Sequence, residues 1–180
     1  MRHPARWVAL AVAAAVVVFG VVLALNVGAD PQADAQHSPL LGQQAPRFDL
    51  PALAGGRIGT VDLAGKSVIV NFWNTWCLPC RQELPALLQF YAGHATDPDV
   101  VMIGIVRDDT TSRVRSYVRE KGINWNVALD PGNQAALDFA TRGQPETLAI
   151  SPRGQIVASK YSVITAAELD SFLAHARAAG

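Results

Sequence analysis

The sequence predicts an α/β domain in which a mixed β-sheet is flanked by helices on both faces. The domain carries an N-terminal β-hairpin and a central insertion, and one transmembrane helix precedes it. Three observations carry this expectation. Apolar, strand-like runs alternate with helical patterns through the last three quarters of the chain. Two short β-prone runs flank the turn signal Gly55-Gly56. An uncharged run dominated by Ala, Val and Leu fills residues 7–27.

The N-terminal run comes first. Arg2, His3 and Arg6 precede it, and Asp30 and Asp34 follow. About twenty residues cross the hydrocarbon core of a bilayer, whereas the apolar region of a cleaved signal is roughly 7–15 residues. The length favours an uncleaved anchor over a cleaved signal. Small residues at Ala33-Asp34-Ala35 lie far beyond Val27 for a peptidase site. The basic flank places residues 1–6 in the cytoplasm and the body of the protein outside. Residues 28–39 read as a linker and 40–180 as one domain. The formal net charge is zero, so no nucleic-acid partner is expected.

Within the domain, residues 42–62 read as the hairpin, with strands Phe48–Leu50 and Ile58–Val61. Val68–Trp73 is a buried strand, followed by a helix to about Gly93. Val100–Val106 is a second apolar strand. Thr110–Lys121 is a helix whose Arg113, Arg115 and Arg119 form a solvated face. A short strand at Val127–Leu129 and a helix over Asn133–Thr141 follow. Thr147–Ser151 and Gln155–Lys160 form a hairpin around Pro152-Arg153-Gly154. The capping box Thr165-Ala166-Ala167-Glu168 starts a last helix that runs to about Ala178.

The chain's two cysteines both lie in Trp76-Cys77-Leu78-Pro79-Cys80, between the first strong strand and its helix. At a helix N-terminus, free N–H groups and the macrodipole stabilise a Cys77 thiolate. The two-residue spacer lets Cys80 attack a mixed disulfide formed at Cys77. Cys77 is therefore read as nucleophile and Cys80 as resolving thiol of a redox-active disulfide. Zinc would need two further ligands, and His3, His37, His94 and His175 show no paired spacing. No metal is expected. A structural staple closing so short a loop would remove little unfolded-chain entropy. Pro79 suits the first turn of the helix. Glu83, three residues after Cys80, shares that cysteine's helix face. Two roles stand level for it: acceptor of the Cys80 proton, or a first-turn carboxylate complementing the helix dipole.

The run Val70-Asn71-Phe72-Trp73-Asn74-Thr75-Trp76-Cys77-Leu78-Pro79-Cys80-Arg81-Gln82-Glu83-Leu84-Pro85, with Gly143-Gln144-Pro145-Glu146-Thr147 and Gly154-Gln155-Ile156, resembles the thioredoxin superfamily. Gly42–Phe48 and Leu63-Ala64-Gly65-Lys66 resemble its membrane-anchored TlpA/ResA/DsbE-like branch, and the likeness spans roughly residues 40–175. The resemblance implies a thioredoxin-like fold and protein thiol:disulfide oxidoreductase activity without a cofactor. It implies that Pro145 is the superfamily's cis-proline facing the disulfide and that Gln144 offers its backbone to a substrate strand. Gln144 departs from the small or β-branched residue expected there. By resemblance Trp76, Leu78, Pro79, Gln144, Pro145 and Glu146 line the substrate-docking face, and Trp73 belongs to the core. The plainer reading of Glu146 is an exposed loop carboxylate. Asn71 stands where plain thioredoxins place a buried Asp, and an amide cannot transfer that proton, which raises the claim of Glu83. Pro85 matches the kink proline of the active-site helix. Residues 110–141 resemble the branch's insertion, which either shapes a substrate groove or only packs.

The function so expected is reduction of partner protein disulfides outside the cytoplasm, apocytochrome c among them, with a membrane thiol electron donor for recharging. A disulfide-donating oxidase and a thiol-based copper or haem binding protein stand as alternatives. A peroxidatic redoxin is disfavoured, because those use a lone cysteine after a Thr-x-x motif.

Overall fold

The computed structural model describes residues 4–26 and 38–180, in a chain that divides into two units, residues 1–35 and 36–180. The first unit holds helix α1 (Pro4–Asn26). Among the described residues no helix is long and apolar enough to cross a membrane. The residues read as a transmembrane anchor form this helix as far as Asn26. Residue 27, the end of the expected anchor, and nearly all of the expected linker lie outside the described residues.

The second unit is built on a five-stranded sheet in the order β5-β4-β3-β6-β7. Its strands are β3 (Ser67–Trp73), β4 (Val100–Val106), β5 (Asn126–Leu129), β6 (Glu146–Ile150) and β7 (Ile156–Lys160). β4 runs parallel to β3 and to β5, while β6 is antiparallel to both β3 and β7. The mixed sheet follows from the connections. The crossovers carrying Leu78–His94 and Thr111–Lys121 return parallel, whereas the connection carrying Gln134–Asp138 and the Pro152–Gly154 turn each reverse the strand direction. A separate two-stranded hairpin, β1 (Asp49–Pro51) with β2 (Arg57–Gly59), turns through Gly55 and Gly56, both at positive φ.

Period-two alternation divides the core. Ile69 and Trp73 of β3 face helices α2 (Leu78–His94), α3 (Thr111–Lys121) and α5 (Ala166–Ala178), packing with Leu84, Leu87, Phe90, Val114, Leu169 and Leu173. Val68, Val70 and Phe72 face the other way, onto Leu50 of the hairpin and Ala135, Ala136 and Phe139 around helix α4 (Gln134–Asp138). Helices do cover both faces, but unequally, because the hairpin and one short helix share the second.

Two boundaries differ from expectation by more than one residue. β2 stops at Gly59, and Thr60–Leu63 form a 3-10 turn. The Asp62 carboxylate accepts the Gly59 N–H at 2.8 Å, an arrangement that a continuing strand would break. The helix expected over Asn133–Thr141 shrinks to α4, because Asn133 and Ala140 take positive φ at its two ends. Buried Asp130 caps it by accepting the N–H groups of Ala135 and Ala136. The short strand expected inside the insertion forms as β5 and lies at the edge of the sheet. The Thr165–Glu168 capping box forms as expected.

Gly104 lies in β4, where a Cβ would stand 2.5 Å from Trp73 Nε1 and 3.2 Å from Trp125 Nε1. Two indoles fill the space that its missing side chain leaves. Gly104→Ala is expected to destabilise the domain by about 1–3 kcal/mol through overpacking. A urea midpoint unchanged from wild type would contradict this packing.

Candidate active site

The site grows from the C-terminal end of β3. All seven residues of the strand are buried, so the chain can bend only after Trp73, and the loop Asn74–Trp76 delivers Cys77 to the N-cap of α2. Pro79 occupies the first turn, where its missing N–H costs no helical hydrogen bond. Cys77 and Cys80 form a disulfide, with sulfurs 2.04 Å and Cα atoms 5.3 Å apart.

Polar groups converge on Cys77. Its Sγ accepts the Cys80 N–H at 3.1 Å, the interaction by which a helix N-terminus stabilises a thiolate. Its own N–H donates to Asn74 Oδ1 at 2.9 Å. The Gln144 carbonyl oxygen lies 3.7 Å from Cys77 Sγ, across the cis Gln144–Pro145 bond that the resemblance implied. In the disulfide this sulfur carries no proton, so the approach is a contact. In the dithiol the same carbonyl is placed to accept the S–H. Both cysteines are nearly buried, whereas Trp76 and Leu78 are 54% and 65% exposed and Pro79 is exposed beside them. The disulfide therefore lies at the foot of a small apolar face, with Gln144 half-buried at its margin and Pro145 buried behind it. Trp73 is core, as expected.

Glu83 is not a first-turn carboxylate in water. It lies on the buried face of α2, 1% exposed. Its Oε1 accepts from Asn71 Nδ2 at 2.8 Å, and its Oε2 from the Ile164 N–H at 3.2 Å. Asn71 also donates to Thr147 Oγ1 at 3.0 Å, its direct partner across the β3–β6 pair. Burial pushes the Glu83 pKa up from 4.5 to about 7, although Asn71, Ile164 and Lys160 all oppose the rise. A carboxyl tuned to neutrality can both take and give a proton at neutral pH.

Glu146 corrects the expectation more sharply. It is neither an exposed loop carboxylate nor part of the docking face, because it opens β6, pairs with Phe72 and is fully buried. Antiparallel pairing with the central strand carries it inward. Its Oε2 accepts the Arg142 N–H at 3.1 Å, and its Oε1 has no hydrogen-bond partner among the described residues. Burial raises its pKa against the pull of Arg142 and Arg107.

Asn74, Thr75, Arg81 and Asp109 have no role assigned from the sequence. The Thr75 N–H and Oγ1 both donate to Asp109 Oδ2, at 2.8 and 2.6 Å, and Arg81 Nε donates to the Thr75 carbonyl at 2.8 Å. A signal was present. Strands Val68–Trp73 and Val100–Val106 are joined through a helix, a connection that suits parallel pairing and would set the acidic pair Asp108-Asp109 beside the cysteine loop. Among the described residues no group of three or more His, Cys, Asp or Glu is arranged to hold a metal ion.

Comparison with known proteins agrees with this geometry. Residues 41–159 match the AhpC/TSA family. The chain is 31% identical over 133 residues to the thiol-disulfide oxidoreductase ResA of Bacillus thuringiensis (strain Al Hakam), covering 74% of this chain and 76% of that protein. It is 34% identical over 116 residues to ResA of Bacillus subtilis (strain 168), covering 64% of each. Among solved structures, the thiol:disulfide interchange protein DsbE of Chlorobium tepidum superposes with a TM-score of 0.69 at 25% identity, over 76% of this chain and 96% of that one.

The Glu83 shift has a consequence for stability. The carboxyl holds its proton to about pH 7 when folded and to about 4.5 when unfolded. Its contribution is therefore complete below pH 4.5 and is lost as pH rises through about 7. Denaturant titrations of the oxidised protein should show wild type losing stability relative to Glu83→Gln between pH 5 and pH 8. A constant difference would contradict the shift.

The thioredoxin-like fold, the Cys77–Cys80 disulfide at a helix N-terminus and the relatives it matches place this chain in the AhpC/TSA family, as a protein thiol:disulfide oxidoreductase of the ResA/DsbE type.

Proposed function

We propose that this oxidoreductase is a membrane-tethered reductant of protein disulfides on the extracytoplasmic side, with the paired cysteines of apocytochrome c as its leading substrate class. The observation that carries the reducing direction is Glu83, an acidic group buried on the Cys80 face of α2 and tuned to about pH 7. Negative charge there opposes a thiolate, and a less stabilised thiolate lowers the reduction potential.

The steps follow. The Cys77 thiolate attacks one sulfur of the substrate disulfide, forming a mixed disulfide and releasing one substrate thiolate. Cys80 then gives its proton to Glu83 and attacks Cys77 Sγ. The second substrate thiolate leaves, and the Cys77–Cys80 disulfide holds the oxidising equivalents. Two electrons pass to substrate in each cycle, so a membrane thiol donor must return two. The tether rests on the amino-acid run alone: Arg2 and Arg6 before the uncharged residues 7–27 fit an anchor with its N-terminus in the cytoplasm.

Cys80→Ser should trap mixed disulfides with exported proteins, recoverable on a thiol matrix, and failure to recover any under conditions where wild type is active would sink the exchange mechanism. Equilibration in a dithiothreitol redox buffer should give a potential nearer thioredoxin's, about −270 mV, than a strong oxidant's, about −120 mV. A value at or above about −150 mV would make the disulfide-donating reading the better one. An alkaline phosphatase fused after Gly180 should be active in cells, and an inactive fusion would overturn the orientation.

A further inference from the structure

The turn Arg107-Asp108-Asp109 follows β4 and belongs to none of the chemistry above, yet it holds the cysteine loop at several points. Asp109 Oδ2 takes both the N–H and the hydroxyl of Thr75, a residue only 3% exposed. The Asp108 carbonyl accepts the indole N–H of Trp76 at 2.9 Å, although Trp76 is half exposed. Asn74 Nδ2 reaches the Arg107 carbonyl at 3.4 Å. All three residues between β3 and Cys77 are thus tied to one turn.

The turn is itself held in an unfavourable conformation. Asp108 takes φ 52°, the left-handed region that side chains seldom occupy. Its carboxylate is engaged by Arg107 Nε at 3.4 Å and by Asn133 Nδ2. Backbone strain persists where surrounding contacts over-determine it, and it concentrates where a site must be pre-organised. A half-exposed tryptophan with a fixed indole N–H presents its ring in one orientation, so a docking polypeptide need not order it.

We infer that Asp109 is a positioning residue that, through its two bonds to Thr75, fixes the loop Asn74–Trp76 and presets the Trp76 docking face for a polypeptide disulfide. The clamp acts on binding of a protein substrate and hardly at all on attack at a small disulfide, which needs only Cys77. This inference rests on the reading that the Trp76 face docks protein disulfides, and wild type tests that reading by itself.

The experiment compares second-order rate constants of the reduced full chain with an oxidised polypeptide carrying a Cys-x-x-Cys-His disulfide and with oxidised glutathione. Wild type should prefer the polypeptide, and wild type without that preference would overturn the docking reading and the clamp with it. In Asp109→Ala the polypeptide rate should fall about tenfold, the scale on which small misplacements cost rate, while the glutathione rate stays within about twofold. Asp109→Asn, which keeps an acceptor oxygen for Thr75, should retain polypeptide rates within about threefold of wild type. Should Asp109→Ala not fold by circular dichroism, Thr75→Val removes the 2.6 Å bond at nearly constant volume and should show the same asymmetry. A wild type that prefers the polypeptide, with variants that lose nothing or lose both rates equally, would overturn the clamp.

Discussion

Strand β3 is hydrogen-bonded along both edges and packed on both faces, and each group of the site takes its place from that constraint. A strand so enclosed has no freedom to bend before its last residue. The turn into α2 therefore falls at Asn74–Trp76, and Cys77 becomes the N-cap whose sulfur accepts the Cys80 N–H. Antiparallel pairing on one side sets Thr147 opposite Asn71 and leads back to the Gln144–Pro145 bend beside the disulfide. Parallel pairing on the other side ends β4 level with β3 and brings Asp109 to Thr75.

The polar chemistry lies on one side of this strand. Asn71 points toward α2, into an otherwise apolar layer, and its amide is satisfied by Glu83 and Thr147. A buried carboxylic acid is tolerable there because two donors reach it and because it can hold its proton. The same burial that raises its pKa makes it useful at neutral pH, where proton transfer to and from a thiol is needed. Desolvation thus serves packing and chemistry together. Glu146 shows the same force without the same resolution, since one of its oxygens has no hydrogen-bond partner among the described residues.

Much of this was legible in the residues. The run Val68–Trp73, apolar except for Asn71, reads as an enclosed strand, and the cysteines after it sit where a helix starts. Thr165 and Glu168 announced a capping box that forms as written. Errors arose at element ends, where a capping contact or a backbone conformation overrode the hydrophobic pattern. Asp62 ended a strand by reaching the Gly59 N–H, and two positive-φ residues cut helix α4 to Gln134–Asp138.

By itself the sequence determined the fold class, the reactive pair and the helix that activates it, because each rests on neighbours within a few residues: hydrophobic period, N-cap chemistry and turn residues. Only the tertiary structure decided what becomes of the carboxylates. Glu83 and Glu146 look alike in the chain, as acids a few residues from a motif, and Asp109 looks like any surface acid. Their burial and partners come from other elements a dozen or more residues away: Asn71 with Glu83, Phe72 opposite Glu146, Thr75 with Asp109. A carboxyl's pKa depends on desolvation and nearby donors in space, and spacing along the chain does not encode either one.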